Sequence, residues 1–203
     1  TSDGYITNDF LKRSDTDNID ELSLRAIFDW QASEDLDLKL TMFRVDADNG
    51  YDGFSLDNTR NTLSDKPGHD RQESSAFALQ SNWQVNEQFD LLSLISFADS
   101  DLEYGYDEDW AFPAICAGQK CDGWEYNSED NYLRDRDNGA LDVKLVSKQS
   151  ALLLGKNTDW VIGIYSRKQD EQLLRQYTYN PGDFSSSFDS RNRAIYGQFA
   201  IDI

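Results

Sequence analysis

WVIGIYSRKQDEQLLRQYTYN, residues 160–180, changes character halfway along. Trp160, Val161, Ile162, Ile164 and Tyr165 are apolar, whereas from Ser166 onward almost every residue is polar or charged. The alternation of residue types nevertheless continues, with Leu173, Leu174, Tyr177 and Tyr179 appearing late. A strand in a soluble sheet keeps its apolar face along its length. A strand that leaves a hydrocarbon slab about 25 Å tall does not, because beyond the slab both of its faces meet water.

Period-two alternation recurs elsewhere and predicts an all-β chain. Leu22, Leu24, Ala26, Phe28 and Trp30 form one face of residues 21–31, and Phe77, Leu79, Trp83 and Val85 one face of residues 75–85. Leu141, Val143 and Leu145 alternate in 139–147, and Ile195, Phe199, Ile201 and Ile203 in the last stretch. Leu36, Leu38, Leu40 and Met42 hold one phase before Phe43, Val45 and Ala47 take the other, which a bulge near Met42 or a strand leaving apolar surroundings would explain. Residues 89–98 are apolar on both faces, so their inward side stays open. No segment has a convincing helical period.

Connections alternate in length. ASED (32–35) and NEQ (86–88) are tight turns, and 149–159 is a medium one on the same side. Asp48–Asp70, Asp107–Tyr132 and Thr178–Ser190 read as long loops on the other. Short on one side and long on the other is the organisation of an outer-membrane β-barrel. Trp30, Trp83 and Trp160 all fall beside the short turns, as an aromatic belt at one interface should. The expected topology is an antiparallel up-and-down meander of about seven strands, next-neighbour paired throughout with no parallel pair. Leu22, Leu24, Phe28, Phe77, Leu79, Leu141, Val143, Ile195, Phe199 and Ile201 are expected on one lipid-facing side.

The 203 residues carry a net charge of −19, which disfavours a nucleic-acid partner. Five Trp, ten Tyr and eleven Phe in alternating patterns argue against a disordered acidic chain. The opening residues TSDGYITNDF show no basic start followed by an apolar core, and no run approaches the length of a membrane helix. Cys116 and Cys121 form a C-x4-C pair without a second pair or a nearby His, which points to a small disulfide loop, with two free thiols as the alternative. His69, the single histidine, lacks an evident nucleophile and reads as an exposed loop residue rather than a catalytic base. The acidic run 98–110 lacks the spacing of a calcium loop and reads as a solvated strand end whose carboxylates point both ways. No catalytic residue, metal ligand or cofactor is assigned.

DWVIGIYSRKQDEQLLRQYTY (159–179) and FDSRNRAIYGQFAIDI (188–203) together resemble the barrel strands of TonB-dependent outer-membrane receptors, which often read Asp-Trp-x-x-Gly-x-Tyr and Ala-x-Tyr-Gly-Gln. DELSLRAIFDWQASEDLDLKLTMFRVDADNGYD (20–52) is similar to a mid-barrel hairpin of that family. The resemblance implies that residues 1–203 are part of a 22-stranded transmembrane barrel in the bacterial outer membrane. Neither a plug domain nor an energy-coupling motif is visible, and seven strands are too few and odd in number, so a fragment of a larger barrel is expected. The implied function is active uptake of a scarce nutrient: a ferric siderophore, haem, cobalamin or oligosaccharide. The implied partners are outer-membrane lipid and lipopolysaccharide, the small-molecule cargo, and the inner-membrane TonB complex acting through the plug. Transport rather than catalysis follows from it.

Two other readings stand beside this one: a soluble, secreted carbohydrate-binding β-sandwich, and an outer-membrane barrel hydrolase. Under the barrel reading, cargo meets the loops opposite the tryptophan belt. Trp110, Trp124 and Tyr126 then offer stacking area, and Arg134 and Arg136 share a face and can pair with carboxylates or an anionic chelate.

Overall fold

The computed structural model describes residues 1–117, 127–148, 152–153, 156–178 and 182–201. The chain runs through β1 (Thr7–Asn8), β2 (Glu21–Ser33), β3 (Leu36–Tyr51), β4 (Asn61–Thr62), β5 (Gly68–Gln84) and β6 (Phe89–Asp107), then a 3-10 turn at Pro113–Cys116. It continues with β7 (Glu129–Ser147), β8 (Leu152–Leu153), β9 (Lys156–Tyr177) and β10 (Phe184–Ile201). Seven long strands form one antiparallel meander in the order β10-β9-β7-β6-β5-β3-β2, with β8 pairing the start of β9. There is no α-helix among the described residues.

Several expectations about the connections need correcting. β10 starts at Phe184, so the link from β9 spans only residues 178–183; the serine run Ser185–Ser187 pairs with Leu174, Leu173 and Gln172 instead of looping. β9 starts at Lys156, which shortens the turn before it. The other two long loops are 52–67 and 108–128, each trimmed by strands extending beyond their apolar stretch. The ladder of β2 and β3 runs unbroken past Met42, and its register shift lies at Gln31/Ser33, so the phase change in β3 is not a bulge. One parallel pair exists against expectation: β1 and β4, joined at Thr7↔Asn61 and Asn8↔Thr62 among the loops. Asn8 is fully buried there, which ties the early segment to loop 52–67 across a distance in sequence that alternation does not encode.

Directly paired residues project to the same side of a ladder, so the register divides the sheet into two faces. Nine of the ten residues expected to share a side do so by register, and the side chain of the tenth, Ile201, lies outside the described residues. Leu91, Ile95 and Phe97 join them, while Leu92 and Leu94 point to the opposite face. This apolar face is uncovered: Leu24, Phe28, Trp30, Phe77, Phe97, Ile164, Ile195 and Phe199 are all exposed. With Leu22, Met42, Leu79, Trp83, Leu141 and Ile162 also exposed on this face, on the order of 50 Å² of apolar surface per half-exposed side chain gives about 700 Å², above the roughly 300–600 Å² of the largest patch on a soluble monomer. The opposite face carries small and polar residues, as in the row Thr41, Ala78, Ser96, Ala140, Arg167 and Asn192.

The apolar band has defined edges, and they run obliquely. On β3, β5 and β6 it reaches Met42, Phe77 and Phe97; the next row on the same face is Arg44, Ser75, Asp99, Asp137, Asp170 and Asp189. On β2 it extends further, to Leu22, which pairs with Asp46. On β9 and β10 it ends earlier, at the pair Ile164 and Ile195. The tryptophans at the other edge drift the same way. Trp30 shares a row with Ile164, Trp83 shares one with Ile162, and Trp160 lies one row nearer the turns. Both edges descend together from β2 to β10.

Among the described residues the buried hydrophobic side chains are Ile6 and Ala111, both at the loop end. Among the described residues no second sheet covers either face; off the main sheet lie the short β1–β4 pair and the isolated bridges Ser2↔Ile19 and Asn8↔Arg13.

Candidate functional site

Beyond the apolar band the strands continue, and the polar face there gathers aromatic and charged groups from four strands. Alternation is the cause: 104 and 106 on β6, 130, 132, 134 and 136 on β7, and 171, 173, 175 and 177 on β9 have the parity that points to that face. Tyr104, Tyr132 and Arg175 stand directly across from one another. Tyr51, at the end of β3, closes the row of rings with its centroid 5.0 Å from that of Tyr104. Gly68 lies beside Tyr51 where a Cβ would sit 2.3 Å from the Tyr51 carbonyl oxygen and 2.5 Å from that of Gly105, so no side chain fits between the strands.

Loop residues complete the wall. Phe54 meets Tyr51 edge-on at 5.8 Å and stacks on Trp110 at 5.2 Å with the planes 14° apart. Trp110 has φ +54°, a left-handed conformation that costs a non-glycine residue on the order of 1–2 kcal/mol. The surrounding loop holds it there. Phe54, Trp110, Tyr104, Tyr106, Tyr132 and Arg134, together with Asp70 and Glu103, line an open cleft of about 570 Å³.

Beside the cleft, charges are paired. Asp130, 1% exposed, receives Arg175 through Nε to Oδ1 at 2.7 Å and Nη2 to Oδ2 at 2.6 Å, and Tyr132 Oη donates to Oδ2 at 3.0 Å. Burial pushes the Asp130 carboxyl up, but Arg175 and Tyr132 outweigh it and hold it below the usual carboxylate range. Arg175 in turn lies over the rings of Tyr177 and Tyr132, at 4.6 and 5.4 Å. Tyr177 donates to Glu108 Oε2 at 2.7 Å, and this bond, with burial second, pushes its phenol up to about 12.

Arg134 and Arg136 share one carboxylate. Arg136 reaches Glu171 Oε2 through Nε at 2.8 Å and Nη2 at 2.7 Å, while Arg134 Nε stands 3.2 Å from Oε1. Asp99 and Asp101 on the neighbouring β6 lie on the opposite face by register, so the partner comes from β9.

A buried polar clasp joins the loops behind the cleft. Asn8 Nδ2 donates to Asp52 Oδ2 at 2.7 Å, and Thr16 Oγ1 donates to the same oxygen at 2.6 Å. Ser64 Oγ donates to Asp107 Oδ2 at 2.6 Å, and the Asp109 backbone N–H donates to Asp107 Oδ1 at 3.2 Å. Burial, together with the neighbouring Asp109 carboxyl and against the Ser64 hydrogen bond, pushes Asp107 up to about 7.

Of the residues singled out from sequence, Trp110 and Arg134 line the cleft and Arg136 adjoins it through Glu171. Trp124, Tyr126 and Cys121, with the side chain of Cys116, lie outside the described residues. Phe54, Tyr51, Tyr132 and Arg175 were missed. The parity of 104 with 106 and of 132 with 134 was readable, but which loop aromatic meets them was not.

Two other expectations fail. His69 is not an exposed loop residue: it sits in β5, its side chain 16% exposed, with Nε2 3.1 Å from Glu103 Oε1. Asp99, Asp101 and Glu103 do not point both ways, since odd positions of one strand share a face; Asp107 and Asp109 are buried in the clasp and not solvated.

Comparison of the chain with protein-family models, curated proteins and solved structures found no match.

Proposed function

We propose that this chain is a stretch of the β-barrel wall of a TonB-dependent active transporter in the bacterial outer membrane, with the cleft facing outside and contacting the cargo. The observation that carries the reading is the oblique apolar band. A slab of constant height crossed by strands tilted about 35–45° must enter and leave each strand at a position displaced from its neighbour's, with both edges shifting in the same sense. A soluble interface has no reason to do this. From Phe89 to Phe97 the band covers roughly 27 Å along the strand at ~3.4 Å per residue, or about 21 Å along the normal of a barrel tilted by ~40°. That approaches the ~25 Å expected of an outer-membrane barrel.

Further support comes from the two stretches that resemble the receptor family. Gly163 of DWVIGIY and Tyr196 of AIYGQ are directly paired on neighbouring strands. On this reading the missing strands and plug close the barrel, the polar face lines the lumen, and free edges of β2 and β10 pair with further strands. The function is tested in cells carrying the full-length protein. Uptake of its cargo should stop when the proton gradient of the inner membrane is collapsed; uptake that continues unchanged would rule out an energy-coupled transporter.

A further inference from the structure

We infer that the aromatic cleft takes a neutral oligosaccharide and excludes an anionic metal chelate. The inference rests on the cargo-contact reading above and narrows it to a ligand class. Three observations carry it.

The first is shape. Phe54 and Trp110 are stacked nearly parallel, and Tyr104 and Tyr132 continue the wall of one open cleft. Flat rings present the weakly negative faces that suit the polarised C–H edges of a pyranose. The φ of +54° at Trp110 shows that the loop holds this ring in place against a local conformational cost.

The second is charge. An anionic chelate needs unpaired cations, and the guanidinium groups here are engaged. Arg175 is held in bidentate fashion by Asp130, and Glu171 is shared by Arg134 and Arg136. Asp70 adds negative charge to the cleft lining, where Glu103 is itself paired with Arg71, and the whole chain carries −19. A multiply charged anion would meet net repulsion on approach.

The third is hydrogen bonding. Asp70 lines the cleft without a hydrogen-bond or ion-pair partner among the described residues, an acceptor facing the opening. Arg134 has its charge balanced by Glu171, which its buried Nε approaches at 3.2 Å without the alignment of a hydrogen bond, and none of the hydrogen bonds among the described residues uses its terminal N–H groups, which remain as neutralised donors at the cleft. A carboxylate acceptor and a guanidinium donor flanking aromatic rings match adjacent sugar hydroxyls, which both donate and accept.

The test uses the full-length receptor in detergent, titrated with linear neutral hexasaccharides of glucose, xylose and mannose and, separately, with a trianionic ferric tris-catecholate. At least one hexasaccharide should bind and change tryptophan fluorescence, with affinity insensitive to salt between 50 and 500 mM. Trp110→Ala should weaken that binding about tenfold and Asp70→Asn severalfold, while Trp110→Phe, which keeps a ring, should retain most of it and controls for folding. Failure of every hexasaccharide to bind, or binding indifferent to both Trp110→Ala and Asp70→Asn, overturns the inference. So does tight chelate binding at this cleft. Energised uptake of a chelate without saccharide binding would sink this inference and leave the transporter reading standing; saccharide binding without energised uptake would do the reverse.

Discussion

Tyr196 lies across Gly163: a Cβ at position 163 would stand 2.5 Å from Tyr196 Cζ, and the Tyr196 hydroxyl donates to Asp142 Oδ1 at 2.5 Å. The ring covers the bare backbone of a glycine on the adjacent strand and pins three strands, β7, β9 and β10, in one register. Gly163→Ala should therefore displace the ring and cost about 1–3 kcal/mol, combining overpacking with loss of the Tyr196–Asp142 bond. A lowered urea midpoint for folding into detergent micelles is the expected reading; an unchanged midpoint would show that the register is set elsewhere.

The apolar band makes a depth-dependent prediction. Val143→Arg and Ile162→Arg, in the middle of the band on β7 and β9, should each cost about 2–4 kcal/mol when the receptor folds into lipid vesicles, the penalty for a cation facing the middle of the bilayer. Ala140 projects to the other face, so Ala140→Arg should cost much less. Equal penalties on the two faces would argue that lipid covers neither.

Residues 1–203 expressed alone should need detergent. Ile195, Phe199, Trp30 and Phe28 are all more than half exposed on one face, and the described strands bury no apolar core of their own. Light scattering in plain buffer decides this. A monodisperse monomer would contradict the membrane reading.

Asp107 gives the loop clasp a pH dependence. An unfolded aspartate keeps its proton only below about 4, whereas burial raises this one to about 7. Between those values the folded state binds the extra proton, so stability of the clasp is greatest at the acidic end and falls as pH rises toward 7. The carboxyls of Asp109 and Asp65 act in the same direction as burial, and the hydrogen bond from Ser64 opposes them without outweighing them. Proteolysis within loops 52–67 and 108–128 should be slower at pH 5 than at pH 8. Asp107→Asn, which mimics the protonated acid, should flatten that difference.

Glu171 offers a way to change the ligand class. Glu171→Gln removes the carboxylate shared by Arg134 and Arg136 and leaves two guanidinium groups beside the cleft. Affinity for an anionic chelate should rise severalfold and become sensitive to salt, since exposed charges are screened within about 10 Å at 0.1 M. No gain for the anion would show that these arginines do not face the ligand.

What the sequence determined by itself was local parity and neighbourhood. Each side chain's face follows from alternation, because successive residues of an extended strand point to opposite sides whatever surrounds them. Turn length made consecutive strands partners, since tight turns leave no other choice. Hence the meander, the shared face of Leu22 through Phe199 and the adjacency of Arg134 and Arg136 were all legible. Only the tertiary structure decided how rows align across seven strands, and the oblique band, the Gly163–Tyr196 contact and the Glu171 bridge all depend on that alignment. The loops were least legible: Asn8 reaching Asp52, Phe54 reaching Trp110 and Ser64 reaching Asp107 join residues some forty to sixty apart. Such contacts follow from burying polar groups with partners that close packing brings within reach, and no local period records them.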